Sequence, residues 1–197
     1  IMLKIREYRK QRKLTIKELA ALSGMSISYI SQIERGEIDP SLSSLRKIAA
    51  VFQLPLYMLL DDMEVMGNLT LRKDQQVVCY SEDKAVTYRF LTPLPSPEYS
   101  PETLLISFAL APHSQDVPEP IRHFSEEMIY VTEGQLTVQI GNTDIVLNPG
   151  DSTVIQKNLP HMCKNTSDTT AKGISSISPP VWGRMDLAEG AAPNNGK

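Results

Sequence analysis

Residues 14–36 read LTIKELAALSGMSISYISQIERG, and the spacing of their apolar side chains decides the first half of the fold. Leu19, Ala20 and Leu22, then Ile30 and Ile33, recur every three or four residues, which places them on one stripe of a helix and not on one face of a strand. Thr15 and Glu18 form a T-x-x-E capping box, in which the threonine hydroxyl accepts from the amide of residue 18 while the carboxylate reaches back. A helix of about two turns therefore starts after Thr15. Ser23-Gly24 closes it, because glycine tolerates the left-handed conformation that ends a helix, and Ser26 caps a second helix running to Arg35-Gly36. Upstream, Ile5, Tyr8 and Leu14 carry the same period. Downstream, Asp39-Pro40-Ser41 opens a fourth helix, SLSSLRKIAAVF, and Leu54-Pro55 opens a short fifth one. Helix, short turn, helix is the arrangement in which a second helix enters a DNA major groove while the first braces it.

Beyond residue 60 the period changes. Residues 61–68, DDMEVMGN, lose helical spacing and carry acid, so the boundary falls there. QQVVCY, AVTYRFL, TLLISFAL, EMIYV, QLTVQI, DIVLN, STVIQ and GISSIS are short runs of β-branched and aromatic residues, separated by Gly, Pro, Asn and Asp. Seven or eight short strands with no helix between them indicate a sandwich or barrel. The proline-rich stretch 92–102, TPLPSPEYSPE, reads as a loop. The expected class is α + β: a five-helix N-terminal domain over residues 1–62, a linker over 63–70, an all-β barrel over 71–182 and a flexible tail over 183–197. Trp182, the single tryptophan, either seals an edge of the barrel or takes part in binding.

The net charge of −3 hides an asymmetry. Residues 1–60 carry ten Lys and Arg against five Asp and Glu, a net of +5, and residues 61–197 carry ten against eighteen, a net of −8. A basic head on an acidic body suits nucleic-acid binding by the head alone. No run of 18 apolar residues occurs, and IMLKIREYRK is too charged for a signal peptide, so a soluble, cytoplasmic protein without membrane partners is expected. Cys79 and Cys163 are then read as reduced thiols, with Cys163 as a metal thiolate near His161 the alternative.

The stretch S-Q-I-E-R-G-x-x-x-P-S-L-x-x-L-x-x-I-A, from Ser31 to Ala49, resembles the XRE-type helix-turn-helix of phage repressors and bacterial regulators, a likeness that covers nearly all of residues 3–60. The resemblance implies that residues 26–35 form the recognition helix, with Ile27, Ser28, Tyr29 and Gln32 outward and Ile30 and Ile33 toward the core. Gln32 suits a base edge, Ser28 a base or a phosphate, and Ile27 a thymine methyl. Tyr29 either faces DNA or packs on the neighbouring helix. Arg12, Lys13, Lys17 and Ser41, the last at a helix N-terminus, suit phosphates.

In the second half, His123-x3-Glu127-x6-Gly134, followed by the Asn148-Pro149-Gly150-Asp151 turn and then Pro160-His161-x3-Asn165, resembles the two motifs of the cupin barrel over about residues 70–180. The match is partial: Ile121 stands where that family's first motif has another histidine, and the proline of its P-x-G turn is replaced by Asn148. The resemblance implies a divalent metal, iron, zinc, manganese or nickel, held by His123, Glu127 and His161, the two-imidazole, one-carboxylate set that leaves coordination positions open. The same residues alternatively line a pocket for a polar organic effector. Arg122 either faces solvent or offers a cation to an anionic effector, and His113 reads as an exposed loop residue.

Two functions follow from this pairing. One is a regulator that binds an operator in double-stranded DNA as a homodimer, its cupin domain binding a small-molecule effector. The other is a cupin-type non-haem metal oxygenase or epoxidase, since phosphonate epoxidases join an XRE-like helical domain to a cupin. The complete S-Q-I-E-R-G stretch and the basic head favour the regulator.

Overall fold

The computed structural model of the chain describes residues 3–54, 56–59, 69–95 and 99–180. Four α-helices lie among them: α1 (Ile5–Gln11), α2 (Ile16–Ser23), α3 (Ile27–Glu34) and α4 (Leu42–Phe52). The Thr15–Glu18 capping box forms with both of its hydrogen bonds, and Gly24 ends α2 at φ 69°. The expected fifth helix is instead a four-residue 3₁₀ turn, Leu56–Leu59. Gln53 has already left the helical conformation at φ 53° to cap α4. With a proline next but one in sequence, donating no N–H, one tight turn is enough to bury Leu56 and Leu59. Linker residues 63–68, Trp182 and the tail lie outside the described residues.

A buried ion pair ties α1 to α3. Arg9 Nε and Nη2 donate to the two Glu34 carboxylate oxygens at 2.6 and 2.8 Å, and Nη1 donates to the Leu14 carbonyl at 2.9 Å. The fork-to-fork geometry fixes orientation as well as distance.

The β half holds β1 (Val78–Tyr80), β2 (Val86–Phe90), β3 (Leu104–Leu110), β4 (Ser114–Gln115), β5 (Glu126–Glu133), β6 (Leu136–Ile140), β7 (Thr143–Leu147), β8 (Ser152–Ile155), β9 (His161–Asn165) and β10 (Ala171–Ser178). They form two antiparallel sheets, ordered β1-β2-β3-β10-β5-β8 and β4-β9-β6-β7. Two of these strands escape the sequence pattern. HMCKN has no β-branched residue, yet it pairs with β6 and buries His161, Met162, Cys163 and Asn165, and β4 is two residues long. Gly134 turns β5 into β6 at φ 70°, where a Cβ would stand 2.4 Å from the Thr170 carbonyl oxygen.

Two cores result. Val86, Phe108, Ile129 and Val131 of the larger sheet meet Leu136, Val138, Leu147 and Cys163 of the smaller. The second core runs through the helices, from Ile5, Leu19, Ile30 and Leu45 to Phe52 and Leu59, and continues without a break into Cys79, Phe90, Leu104 and Ile177. The helical head is thus seated on the β half by shared apolar packing. Among the described residues no helix is long and apolar enough to cross a membrane.

Candidate functional site

The first candidate surface is α3. Ser26 caps it by accepting from the Tyr29 amide at 3.1 Å, and Ile30 and Ile33 are buried, which turns the opposite stripe outward. Ile27 is 51% exposed, Ser28 is exposed and Gln32 is partly exposed. Tyr29 takes the packing role: it is half-buried, and its hydroxyl lies 3.0 Å from Ser44 Oγ on α4. Lys13 and Lys17 are exposed. Arg12 folds back, donating to the Phe52 carbonyl at the C-terminus of α4, with its guanidinium 5.8 and 5.2 Å from the ring centres of Tyr8 and Phe52. Ser41 is buried, and its hydroxyl accepts from the Ser44 amide as the cap of α4. Arg12 and Ser41 therefore have structural partners already, whereas Ile27, Ser28, Gln32, Lys13 and Lys17 stand available to a ligand.

The second candidate is a cavity of about 100 Å³ where the two halves meet, large enough for a small organic molecule. His123, Glu127 and His161 line it, and their ligating atoms lie within 4.8 Å of one another. Glu127 comes from the start of β5, His161 from the start of β9, and His123 from the segment just before β5. Ile121 forms a bridge with His161 and puts an apolar side chain into the cavity where the family's other histidine would stand. Arg122, one residue on, is exposed and is not among the cavity-lining residues. His113 is exposed, with Nε2 2.9 Å from Asp168.

Hydrogen bonding decides the state of the imidazoles. His123 Nδ1 lies 3.0 Å from the Ser125 carbonyl and His161 Nδ1 lies 2.9 Å from the Leu159 carbonyl. A carbonyl only accepts, so each Nδ1 carries a proton and each ring turns its Nε2 to the cavity. Both Nε2 atoms face Glu127 Oε2, at 3.1 Å from His123 and 3.6 Å from His161. Burial works to raise the Glu127 carboxyl, but hydrogen bonds from His123 and Ser175, together with the two imidazoles, outweigh it and hold the group below its ordinary pKa. Burial also pushes His161 down, which favours its neutral form. A proton on Nε2 makes the bond to Glu127; without one, two lone pairs face the carboxylate and a metal ion would supply the cation between them. Ligands on adjacent positions of a metal with bonds of about 2.1 Å stand about 3 Å apart, close to the spacing found here.

Comparison with known proteins finds matches for both halves of the chain. Residues 5–59 match the family described as helix-turn-helix, and residues 107–177 match the cupin domain. The immunity repressor protein of Bacillus phage phi105 is 30% identical over 131 residues, spanning 66% of this chain and 85% of that protein. The chain belongs to the XRE-type helix-turn-helix transcriptional regulators, with a cupin domain following the head. The HTH-type transcriptional regulator PuuR of Escherichia coli (strain K12) is 28% identical to this regulator over 179 residues, 91% of this chain and 95% of PuuR. The crystal structure of a transcriptional regulator of the same helix-turn-helix family from Vibrio cholerae shares its fold, with a TM-score of 0.56 and 22% identity over 90% of this chain and 93% of that one.

The cofactor set of the regulator is limited to what its donors suit. The two lone pairs and the carboxylate fit a divalent metal, which would act there as a Lewis acid. Cys163 lines the same cavity but burial holds its thiol well above the ordinary range, and burial pushes Cys79 up to about 12, so both are thiols and not thiolates. Four polar lining residues carried no signal in the sequence: Arg46 of α4, Tyr88 of β2, Asp116 and Ser175 of β10. Arg46 lay hidden in SLSSLRKIAAVF, although it follows Leu42 by one helical turn, and Asp116 sits in an unpatterned segment after β4. Burial raises the Asp116 carboxyl to about 7 while the Cys163 amide donates to its Oδ1 at 2.8 Å.

Two outcomes follow. Between about pH 4 and pH 7 folded Asp116 keeps a proton that the unfolded chain has lost, so its contribution to stability falls as pH rises through that window. Asp116→Asn cannot ionise and keeps an oxygen for the Cys163 amide. Its stability relative to the wild type should climb across the window by on the order of 2 kcal/mol, after allowance for partial exposure. His161 acts in the opposite direction but cancels in this difference. Urea melts that run parallel with pH would contradict the assignment. Second, chelated and reloaded regulator should take up one equivalent of iron, zinc, manganese or nickel, and His161→Ala should weaken uptake by more than the about 10–100-fold that a lost supporting hydrogen bond costs. Uptake well below one equivalent for all four metals would leave an organic-ligand pocket.

Proposed function

We propose that this regulator binds a pseudo-palindromic operator as a homodimer and that the cavity receives a small-molecule effector. The exposed stripe of α3 carries this reading: Ile27, Ser28 and Gln32 face outward on a helix whose other face is locked into the core. Gln32 supplies paired donor and acceptor groups for an adenine edge, Ser28 a base or phosphate contact, and Ile27 an apolar partner for a thymine methyl. Lys13 and Lys17 supply phosphate contacts that position the head without reading sequence. Arg12 acts indirectly, by holding the end of α4, and Ser41 does so by capping its start.

The homodimer is supported by an outer face of the β half. Met128 and Val154 stand opposite each other on β5 and β8, 51% and 44% exposed, with Tyr130 beside them at 44%, and β8 is the edge of its sheet. Apolar pairs on an unpaired edge suit a second copy of the chain. Two heads would then lie about 34 Å apart, one turn of DNA. A cytoplasmic location fits this role.

The donor set of His123, Glu127 and His161 favours a second reading, a cupin-type non-haem oxygenase or epoxidase, because two imidazoles and a carboxylate leave metal positions open. The regulator reading is preferred because the helical head is complete down to its base-facing residues, which an enzyme would have no use for.

DNase footprinting on the DNA upstream of the protein's own gene tests it. The wild type should protect a two-fold symmetric site, and Gln32→Ala with Ser28→Ala should lose about 1–3 kcal/mol of specific binding per base contact while melting as the wild type does. Equal protection by both proteins would remove the assignment of α3 as the reading helix.

A further inference from the structure

The cavity has two kinds of wall. Most of it is cupin, but Leu42 and Arg46 of α4 and Leu56 of the following turn reach it from the DNA-binding head. Leu42 and Arg46 stand one turn apart and share a face, and Leu42 also packs in the core to which Leu45, Ile48 and Phe52 belong. The head is therefore part of the binding site.

The polar groups in this wall are unevenly satisfied. Glu127 accepts from Ser175 on one oxygen and faces both histidines with the other. Asp116 accepts from the Cys163 amide. Among the described residues the half-buried Arg46 guanidinium makes no hydrogen bond and no ion pair, although it carries five N–H donors. Burial pushes its pKa down, the signature of a cation short of solvent. The apolar part of the cavity wall includes Leu42, Leu56, Phe90, Leu104 and Ile106. Glu127 and Asp116 line the same cavity and act on Arg46 through their charge, but neither is hydrogen-bonded to it, so its donors are open to a negatively charged acceptor on an apolar body.

We propose that the effector is a small organic anion, a carboxylate on an apolar body, and that Arg46 of the DNA-binding head is its counter-ion. The proposal rests on the reading of the cavity as the effector site. A carboxylate accepts two parallel bonds from a guanidinium, which fixes the ligand's direction as well as its charge. The effector then bridges the cupin domain and α4. Because Ser44 of α4 meets Tyr29 of α3, a ligand that resets α4 also reaches the reading helix. Effector and DNA affinities change each other by the same factor.

Thermal melts and calorimetric titrations of the full chain test this with butyrate and benzoate against butylamine and benzylamine, pairs alike in shape and opposite in charge. The carboxylates should raise the melting temperature and the amines should not. Arg46→Gln should bind the carboxylates at least about tenfold more weakly, with Arg46→Lys between the two, since an ammonium offers charge without the fork. If Arg46→Gln fails to fold, Arg46→Lys and the charge preference of the wild type carry the test. Carboxylates that leave the wild type unmoved, or that bind Arg46→Gln as tightly, overturn the proposal. An amine that binds, and whose binding is lost when Ile106→Phe fills the cavity, overturns the anion but leaves the effector site standing. Carboxylate binding indifferent to both Arg46→Gln and Ile106→Phe overturns the effector site as well.

Discussion

The seating of α4 on the mouth of the cupin domain is the contact on which the rest of this molecule depends. The helix builds the helical core through Leu42, Leu45, Ile48 and Phe52, and it closes the cavity with Leu42 and Arg46. The same core extends into Cys79, Phe90, Leu104 and Ile177, so the two halves share apolar surface that neither could bury alone. Inter-domain contacts of this kind decide whether relative motion is free or restricted. Here a change in the cavity reaches α4 directly, and α3 lies one hydrogen bond further on.

Charge is arranged around that contact with economy. The histidine rings are oriented by backbone carbonyls, the carboxylate of Glu127 is held between them, and Ser175 takes its second oxygen. Arg46, in the same cavity wall, is paired with no anion among the described residues. An anion that pairs with it is worth more than its contact area suggests, because the guanidinium has already lost water to burial.

Much of this was legible in the sequence because local rules and tertiary packing agree. The capping box at Thr15, the glycine at 24 and the serine cap at 26 each specify a helix end within one turn, and each end forms where those residues place it. His123, Glu127 and His161 converge as the cupin spacing implies. The departures have physical causes. The expected fifth helix shrinks to a turn beside a proline. HMCKN becomes a strand through pairing and burial, with no β-branched residue to announce it. Of the two readings of Arg122, solvent or an effector's counter-ion, its exposure fits the first, and the cavity's arginine comes from a helix 76 positions upstream. Contacts between distant segments of that sort leave no local pattern.

Native-state hydrogen exchange on the full chain, read amide by amide, tests the shared core most directly. If α4 and the cupin mouth open as one unit, the protected amides of residues 45–52 and those of β3 and β10 will exchange with the same opening free energy and respond together to low denaturant. Exchange of α4 at a much lower opening free energy, with β3 and β10 still protected, would show a head that moves independently and would contradict the account.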